Sequence, residues 1–190
     1  MCLNCFNILC FYIVTNMSAT KKHNHTGKRP ITLRYLPKRL SRKDKKTQLR
    51  MIQKSRKMYK KGVYYTRKPV KSFTTKTSKH ILAARKMYHM ENIGPNEELA
   101  AKSGCSLAAL KKIVSKGEGA YFSSGSRPNQ TGQSWGNARL ASALTAGKAG
   151  AVDYNILHDG CKPGSKGYKM AELAKRRYGH GQRKVPKASI

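Results

Sequence analysis

The sequence predicts a mainly α protein: a small helical module with a helix-turn-helix-like hairpin and a long Gly/Ser-rich loop, flanked by extended cationic arms. Three observations predict it. Apolar residues recur at helical spacing behind Ser and Asn caps, while Val and Ile enrichment is slight. Lys and Arg number 40 against 8 Asp and Glu, a formal charge of +32 in 190 residues. That charge is segmented: residues 17–90 hold 24 basic residues and one acidic, residues 91–160 hold 7 and 6, and residues 161–190 hold 9 and one. A near-neutral module at 91–160 thus sits between a cationic arm at 17–90 and a basic tail at 161–190. The hydrophobic fraction of 38% is below the roughly 45–50% of ordinary globular domains, so part of the chain is not expected to hold a core of its own. The length allows one domain with extensions and argues against a two-domain enzyme. A charge of +32 opposes compaction and calls for a polyanion.

Residues 1–16, MCLNCFNILCFYIVTN, are apolar but too short to span a bilayer, which needs about 20 apolar residues, and they lack the basic start of a signal peptide. Met17-Ser18-Ala19 looks like an ordinary start, so the first sixteen residues are read as an extension of little consequence. The five cysteines, Cys2, Cys5, Cys10, Cys105 and Cys161, form no even framework, which favours a reducing compartment. Cys2 and Cys5 have the spacing of half a zinc site without the other half, so no metal is expected. From Ser41 to Gly62 the marks of a helix recur: Ser41 as N-cap, Asp44 three residues on, Gly62 as stop. Leu49, Ile52, Arg56 and Tyr59 make a narrow stripe on it, surrounded by cations. Residues 62–77 read as an extended strap, since Pro69 excludes a helix. Its Tyr64, Tyr65 and Phe73 alternate with Arg67, Lys68, Lys71 and Lys76. Such interleaving suits single-stranded nucleic acid and equally suits anchoring on another protein. Ser78 caps a second helix to Met90, whose His80 and His89 are expected at solvent or an interface.

Residues 96–117 resemble a helix-turn-helix: Ala100 at the crossing, Gly104 at the turn, Cys105 buried after it, Ser106 as cap, Leu110 and Ile113 inward. The exposed face of its second helix offers Leu107, Ala108, Lys111, Lys112 and Ser115. It is poor in the Arg, Asn and Gln that read bases, so a structural hairpin is expected. Residues 116–136 read as the Gly/Ser-rich loop, with Arg127 and the amides around Gly125 able to hold an anion. Ser134 is expected to cap a helix with Trp135, Leu140 and Leu144 on one face. Residues 148–159 are expected to form one helix with Val152, Ile156 and Leu157 inward. Asp153 and His158 do not share a face and make no catalytic pair. Residues 168–178 form a last helix, with Lys175, Arg176 and Arg177 at its C-terminal end, where cations complement the dipole. Residues 179–190 are expected to be disordered or draped on a partner.

Two resemblances bear on function. GEGAYFS at 117–123 is similar to a short segment of ADP-ribosyltransferases, which also need an upstream His and a downstream Glu. The only His residues ahead of it lie in cationic regions and the only later Glu is Glu172, so no enzyme is expected. RYLPK at 34–38, Lys79-His80, ELAAKSGC at 98–105, GAYFSSGSRPNQT at 119–131, SWG at 134–136 and ARLAS at 138–142 resemble an uncharacterised basic family of nucleocytoplasmic large DNA viruses, chlorovirus- and mimivirus-like, over about residues 33–165. The family has no activity to transfer. The resemblance implies a virion protein, with the host cytoplasm or nucleus as its place before assembly. As partners it implies the major capsid and other virion proteins, viral DNA and the inner membrane surface. The expectation is a non-enzymatic minor capsid component whose basic arms tie neighbouring subunits, with no cofactor and no small-molecule substrate. The alternative is a protein that condenses the genome or reads DNA through the helix-turn-helix. The expected polyanion contacts are Lys43, Lys46, Arg50, Lys54, Arg56, Lys57, Lys60, Lys61, Arg67, Lys68, Lys111, Lys112, Arg127, Arg176 and Arg177.

Overall fold

A computed structural model describes residues 30–179 and 187–188. The apolar start, Met17, the Cys2/Cys5 half-site with Cys10, and most of the expected terminal tail lie outside the described residues. Where the chain is described it is mainly helical, as its spacing predicts. A two-residue β1 (Ile31–Thr32) and a 3-10 turn (Leu33–Tyr35) lead to α1 (Arg42–Tyr59), an extended strap, and α2 (Lys79–Tyr88). Then come α3 (Glu97–Ser103), α4 (Leu107–Ser123), α5 (Gly132–Leu144), α6 (Lys148–Val152), α7 (Tyr154–Gly160) and α8 (Lys166–Tyr178). A final β2 (Lys187–Ala188) returns to pair antiparallel with β1, Ile31 opposite Ala188. This part of the terminal segment is therefore held by the chain itself.

The caps act where the sequence places them. Ser41 Oγ accepts from Asp44 N, Asn96 Oδ1 from Leu99 N, and Ser106 Oγ from Ala109 N, each satisfying an amide the first helical turn leaves unpaired. The expected hairpin forms: α3 ends at Gly104, whose φ of +71° suits glycine, and α4 begins after Ser106. At α5 the cap is not Ser134 but Thr131, and the two form a reciprocal capping box. A threonine followed three residues later by a side chain that bonds back satisfies two amides instead of one.

Residues 116–136 depart most from the expected layout. Expected as one long loop, they are mostly helix, because α4 runs on to Ser123 and α5 starts at Gly132. The glycines here mark close approach. A Cβ on Gly117 would lie 2.6 Å from Gly136 Cα, and one on Gly136 would lie 2.8 Å from Val114 O. α4 and α5 cross backbone to backbone, and their flanks supply the main core: Leu110, Ile113, Leu140 and Leu144, all fully buried, with Leu99, Tyr88 and Leu157. Each such side chain contributes about 1.5–3 kcal/mol by leaving water. Trp135 leaves the Leu140–Leu144 face and meets Tyr35 edge-on at 5.9 Å in a second cluster with Ile31, Leu36 and Ile52.

Residues 148–159 are not one helix either. The ladder bends at Asp153, whose N donates to Ala149 O and whose O accepts from Leu157 N. Its carboxylate is wholly buried, paired with Arg139 through Nε at 2.7 Å and Nη2 at 2.8 Å, and with Lys116 Nζ at 2.6 Å. Turning that charge inward sets the bend and leaves Val152 46% exposed, contrary to the inward position expected for it.

The cysteines also differ from expectation. Cys105 and Cys161 form a disulfide across 56 residues. Ser106 N donates to Gly160 O and Lys162 N to Gly104 O, so a short antiparallel bridge sets the two side by side. Gly167 packs over them, where a Cβ would strike Cys105 Sγ. A buried disulfide fits an oxidising setting better than the reducing one expected. The link and the packing of α8 on α5, α6 and α7 join residues 161–178 to the module.

Candidate nucleic-acid interface

α1 buries Gln48, Met51, Ile52 and Ser55. At 100° per residue, Lys43, Lys46, Arg50, Lys54 and Lys57 fall within about 80° of one another on the opposite side. All five are exposed, and none is in an ion pair among the described residues. The stripe runs for about 21 Å at 1.5 Å per residue. The acidic residue of the helix, Asp44, is turned away: its carboxylate accepts from Ser72 N at 2.8 Å. Its pKa is held below the usual carboxylate value by the hydrogen bonding to Ser72 first, with smaller help from Lys43 and Lys71. Lys60, Lys61 and Lys68 continue the cations past the end of α1, also exposed. Lys111 and Lys112 are exposed on α4, Arg127 on the loop, and Arg176 and Arg177 at the end of α8.

Two expected contacts are engaged by the fold, one of them buried and the other half-buried. Arg67 is 7% exposed. Its Nη1 donates to Ser55 Oγ at 3.2 Å and Tyr121 O at 3.0 Å, its Nη2 to Ser126 Oγ at 2.7 Å, and its Cζ sits 3.6 Å from the Tyr121 ring centroid. No carboxylate pairs with it among the described residues. Burial lowers its pKa. Arg56 is half-buried and donates to Ser124 O through Nε at 3.2 Å and Nη2 at 2.7 Å.

Residues 124–131, all that remains of the expected loop, form a buckle rather than an anion cradle. Gly125 N donates to Ala120 O, and a Cβ at Gly125 would lie 3.1 Å from Ile52, so that amide is spent inside. Gln48 Nε2 donates to Ser126 O and Tyr35 O. Asn129, at φ +57°, accepts from Val70 N at 2.7 Å and donates to Val70 O and Phe73 O. The strap is therefore pinned to this buckle through Val70 and Phe73, and to α1 and α4 through Arg67. Its outer ring, Tyr64, is left 69% exposed.

That ring overlooks a feature the sequence alone does not assemble. Tyr59 from the end of α1, Tyr64 from the strap and Phe122 from the end of α4 form a cluster: Tyr59 and Phe122 stack at 6.3 Å, and Tyr64 meets Phe122 edge-on at 5.1 Å. With Thr66, Ser115, Glu118, Gly119, Thr131, Gly132 and Gln133 they line an open cleft of about 660 Å³. A signal for it was present, since Glu118, Gly119 and Phe122 follow Ser115 on one side of α4. Reading residues 116–136 as loop hid the helical spacing that gathers them. A separate cluster joins α7 to α8, where Tyr154 OH donates to Glu172 and His158 lies between the Tyr154 and Tyr168 rings. The Glu172 bond chiefly pushes the Tyr154 phenol up to about 12. No group of three His, Cys, Asp or Glu side chains suited to a metal occurs among the described residues, and no helix there is long and apolar enough to cross a membrane.

The model of a "Family of unknown function (DUF5824)" matches residues 33–158, about two thirds of the chain. The chain belongs to that family. No curated protein and no solved structure matches it.

Proposed function

From a family membership that carries no activity, and from the surface just described, we propose that this is a non-enzymatic protein that holds nucleic acid through phosphate contacts, the genome of a large DNA virus being the partner its sequence resemblance suggests. The observation that supports this reading is the stripe of Lys43, Lys46, Arg50, Lys54 and Lys57, one-signed and exposed. The buried side of α1 is spent on this chain's own loop and α4, so the helix needs no further protein to cover it. Five phosphates neutralised by the stripe would give a slope of log K against log salt of about −4.5 on duplex DNA.

A second reading, a minor capsid component on the inner side of the shell, draws support from Leu33, Leu82 and Val152, which are exposed by 46–51% and offer apolar contact to neighbouring subunits. Salt titration of duplex binding tests the first reading. Replacing Lys46 and Arg50 by Gln together flattens the slope by roughly two units, about one for each phosphate no longer neutralised; a wild-type slope near zero overturns it. Particle disruption separates the two readings. In about 0.5 M salt, above the 50–200 mM range where phosphate contacts lose most of their affinity, a phosphate-bound protein leaves the genome, whereas a capsid component stays with the shell.

A further inference from the structure

We propose that the cleft bounded by Tyr59, Tyr64 and Phe122 takes an unpaired base of single-stranded nucleic acid, stacked on Tyr64, while the flanking phosphates meet the lysines around it. This rests on the phosphate-binding reading and adds a different chemistry to it.

Four features of the cleft carry the inference. Tyr64 is 69% exposed, more than any other large apolar side chain among the described residues, and its ring is supported from behind by Phe122 at 5.1 Å and Tyr59 at 5.9 Å. A ring held by rings presents a stacking surface without having to be ordered on binding, and every base has a face to place on it. Gly119 and Gly132 bring backbone into the lining, which lets the rings pack close: a Cβ on Gly132 would lie 3.2 Å from the Phe122 ring and one on Gly119 3.4 Å from Tyr59 Oη. The volume of about 660 Å³ is within the roughly 300–1,000 Å³ of small-ligand sites.

The polar lining selects base over phosphate. Glu118 is the charged side chain in the lining; a carboxylate repels a phosphate and accepts from the exocyclic amino group of a base. Gln133 beside it can donate and accept. Cations stand outside: Lys60 and Lys61 in the turn that joins Tyr59 to Tyr64, and Lys111 and Lys112 about one helical turn before Ser115 on α4, all exposed. A groove with positive edges and an aromatic interior fits a strand whose backbone and bases separate. A duplex keeps its base faces stacked within and offers nothing to the ring.

The test compares three probes by fluorescence anisotropy: an oligodeoxycytidylate, whose base carries an exocyclic amino group, an abasic strand of the same length, and a duplex. Wild-type protein is expected to bind the base-bearing strand at least roughly fivefold more tightly than the abasic one, the low end of a base–ring stack. Tyr64→Ala is expected to abolish that preference while leaving abasic and duplex affinities unchanged. Tyr64→Phe keeps the ring and is expected to keep the preference. Equal wild-type affinity for the two strands, or a Tyr64→Ala loss as large on the abasic strand, overturns the inference with phosphate binding intact and leaves the cleft to a protein partner. Absence of wild-type binding to all three probes overturns the phosphate reading as well.

Discussion

Arg67 separates a cation that binds from a cation that folds, and Arg67→Met tests which it is. The side chain donates three hydrogen bonds of 2.7–3.2 Å to Ser55, Tyr121 and Ser126 and lies over the Tyr121 ring. Bonds from a charged donor contribute about 1.5–3 kcal/mol each, and a desolvated cation over a ring about 2 kcal/mol. Against this stands the cost of burying a cation with no carboxylate beside it, several kcal/mol. Methionine has similar bulk and lets that cost go, so the net loss should be about 3 kcal/mol, within the range for breaking a buried polar network. At about 2–4 °C per kcal/mol for a chain of this size, the melting temperature should fall by about 6–12 °C. Circular dichroism at increasing temperature reads that fall, and a duplex-binding salt titration reads the phosphate contacts. Arg67→Met is expected to melt early and keep the wild-type slope. Lys68→Gln, one residue on and exposed, is expected to melt with wild type and flatten the slope by about one unit. An Arg67→Met protein that melts with wild type and binds with a flatter slope would refute the reasoning, because the guanidinium would then have been at a phosphate.

Two further predictions concern the core. The Cys105–Cys161 link closes 56 residues, for which chain entropy gives about 4 kcal/mol; reduction should lower the melting temperature by about 8–16 °C, and alkylation of both residues in unreduced native protein would show the tie to be absent. Gly136→Ala places a Cβ 2.8 Å from the backbone oxygen of Val114 and should cost about 1–3 kcal/mol by overpacking. Gly119→Ala, whose nearest neighbour is Tyr59 Oη at 3.4 Å, should melt close to wild type; equal stability of both variants would mean that α4 and α5 do not cross so closely.

Much of the helical layout was legible because its signals are local. Ser41, Asn96 and Ser106 cap helices by reaching their own first turn, and Gly104 takes a left-handed φ that other residues avoid. Residues 116–136 misled because glycine has two uses that sequence does not distinguish. It lets a chain turn, and it lets two helices touch. Only the partner backbone, Gly136 against Gly117, decides between them. Thr131 and Ser134 were ambiguous for a similar reason, since either residue could begin the helix and both take part in the box.

The candidate site divides along the same line. The α1 stripe was legible from residue type and a 3.6-residue period, and Lys43, Lys46, Arg50, Lys54 and Lys57 are exposed as expected. Arg67 has the same charge and similar neighbours to Lys68, yet one is buried and the other exposed, because Ser55 from α1 and Tyr121 and Ser126 from the end of α4 and the segment after it converge on it. The aromatic cleft likewise needs Tyr59, Tyr64 and Phe122 from three separate elements.

By itself, the sequence determined what short range can determine: helices, their caps and a one-signed surface on α1, within a net charge of +32. The tertiary structure decided which cations reach water, which glycines are contacts, that Cys105 meets Cys161, and that three scattered rings face one cleft. The physical reason is range: a cap or a helical period spans a few residues of one chain segment, whereas burial and convergence depend on which other segments arrive.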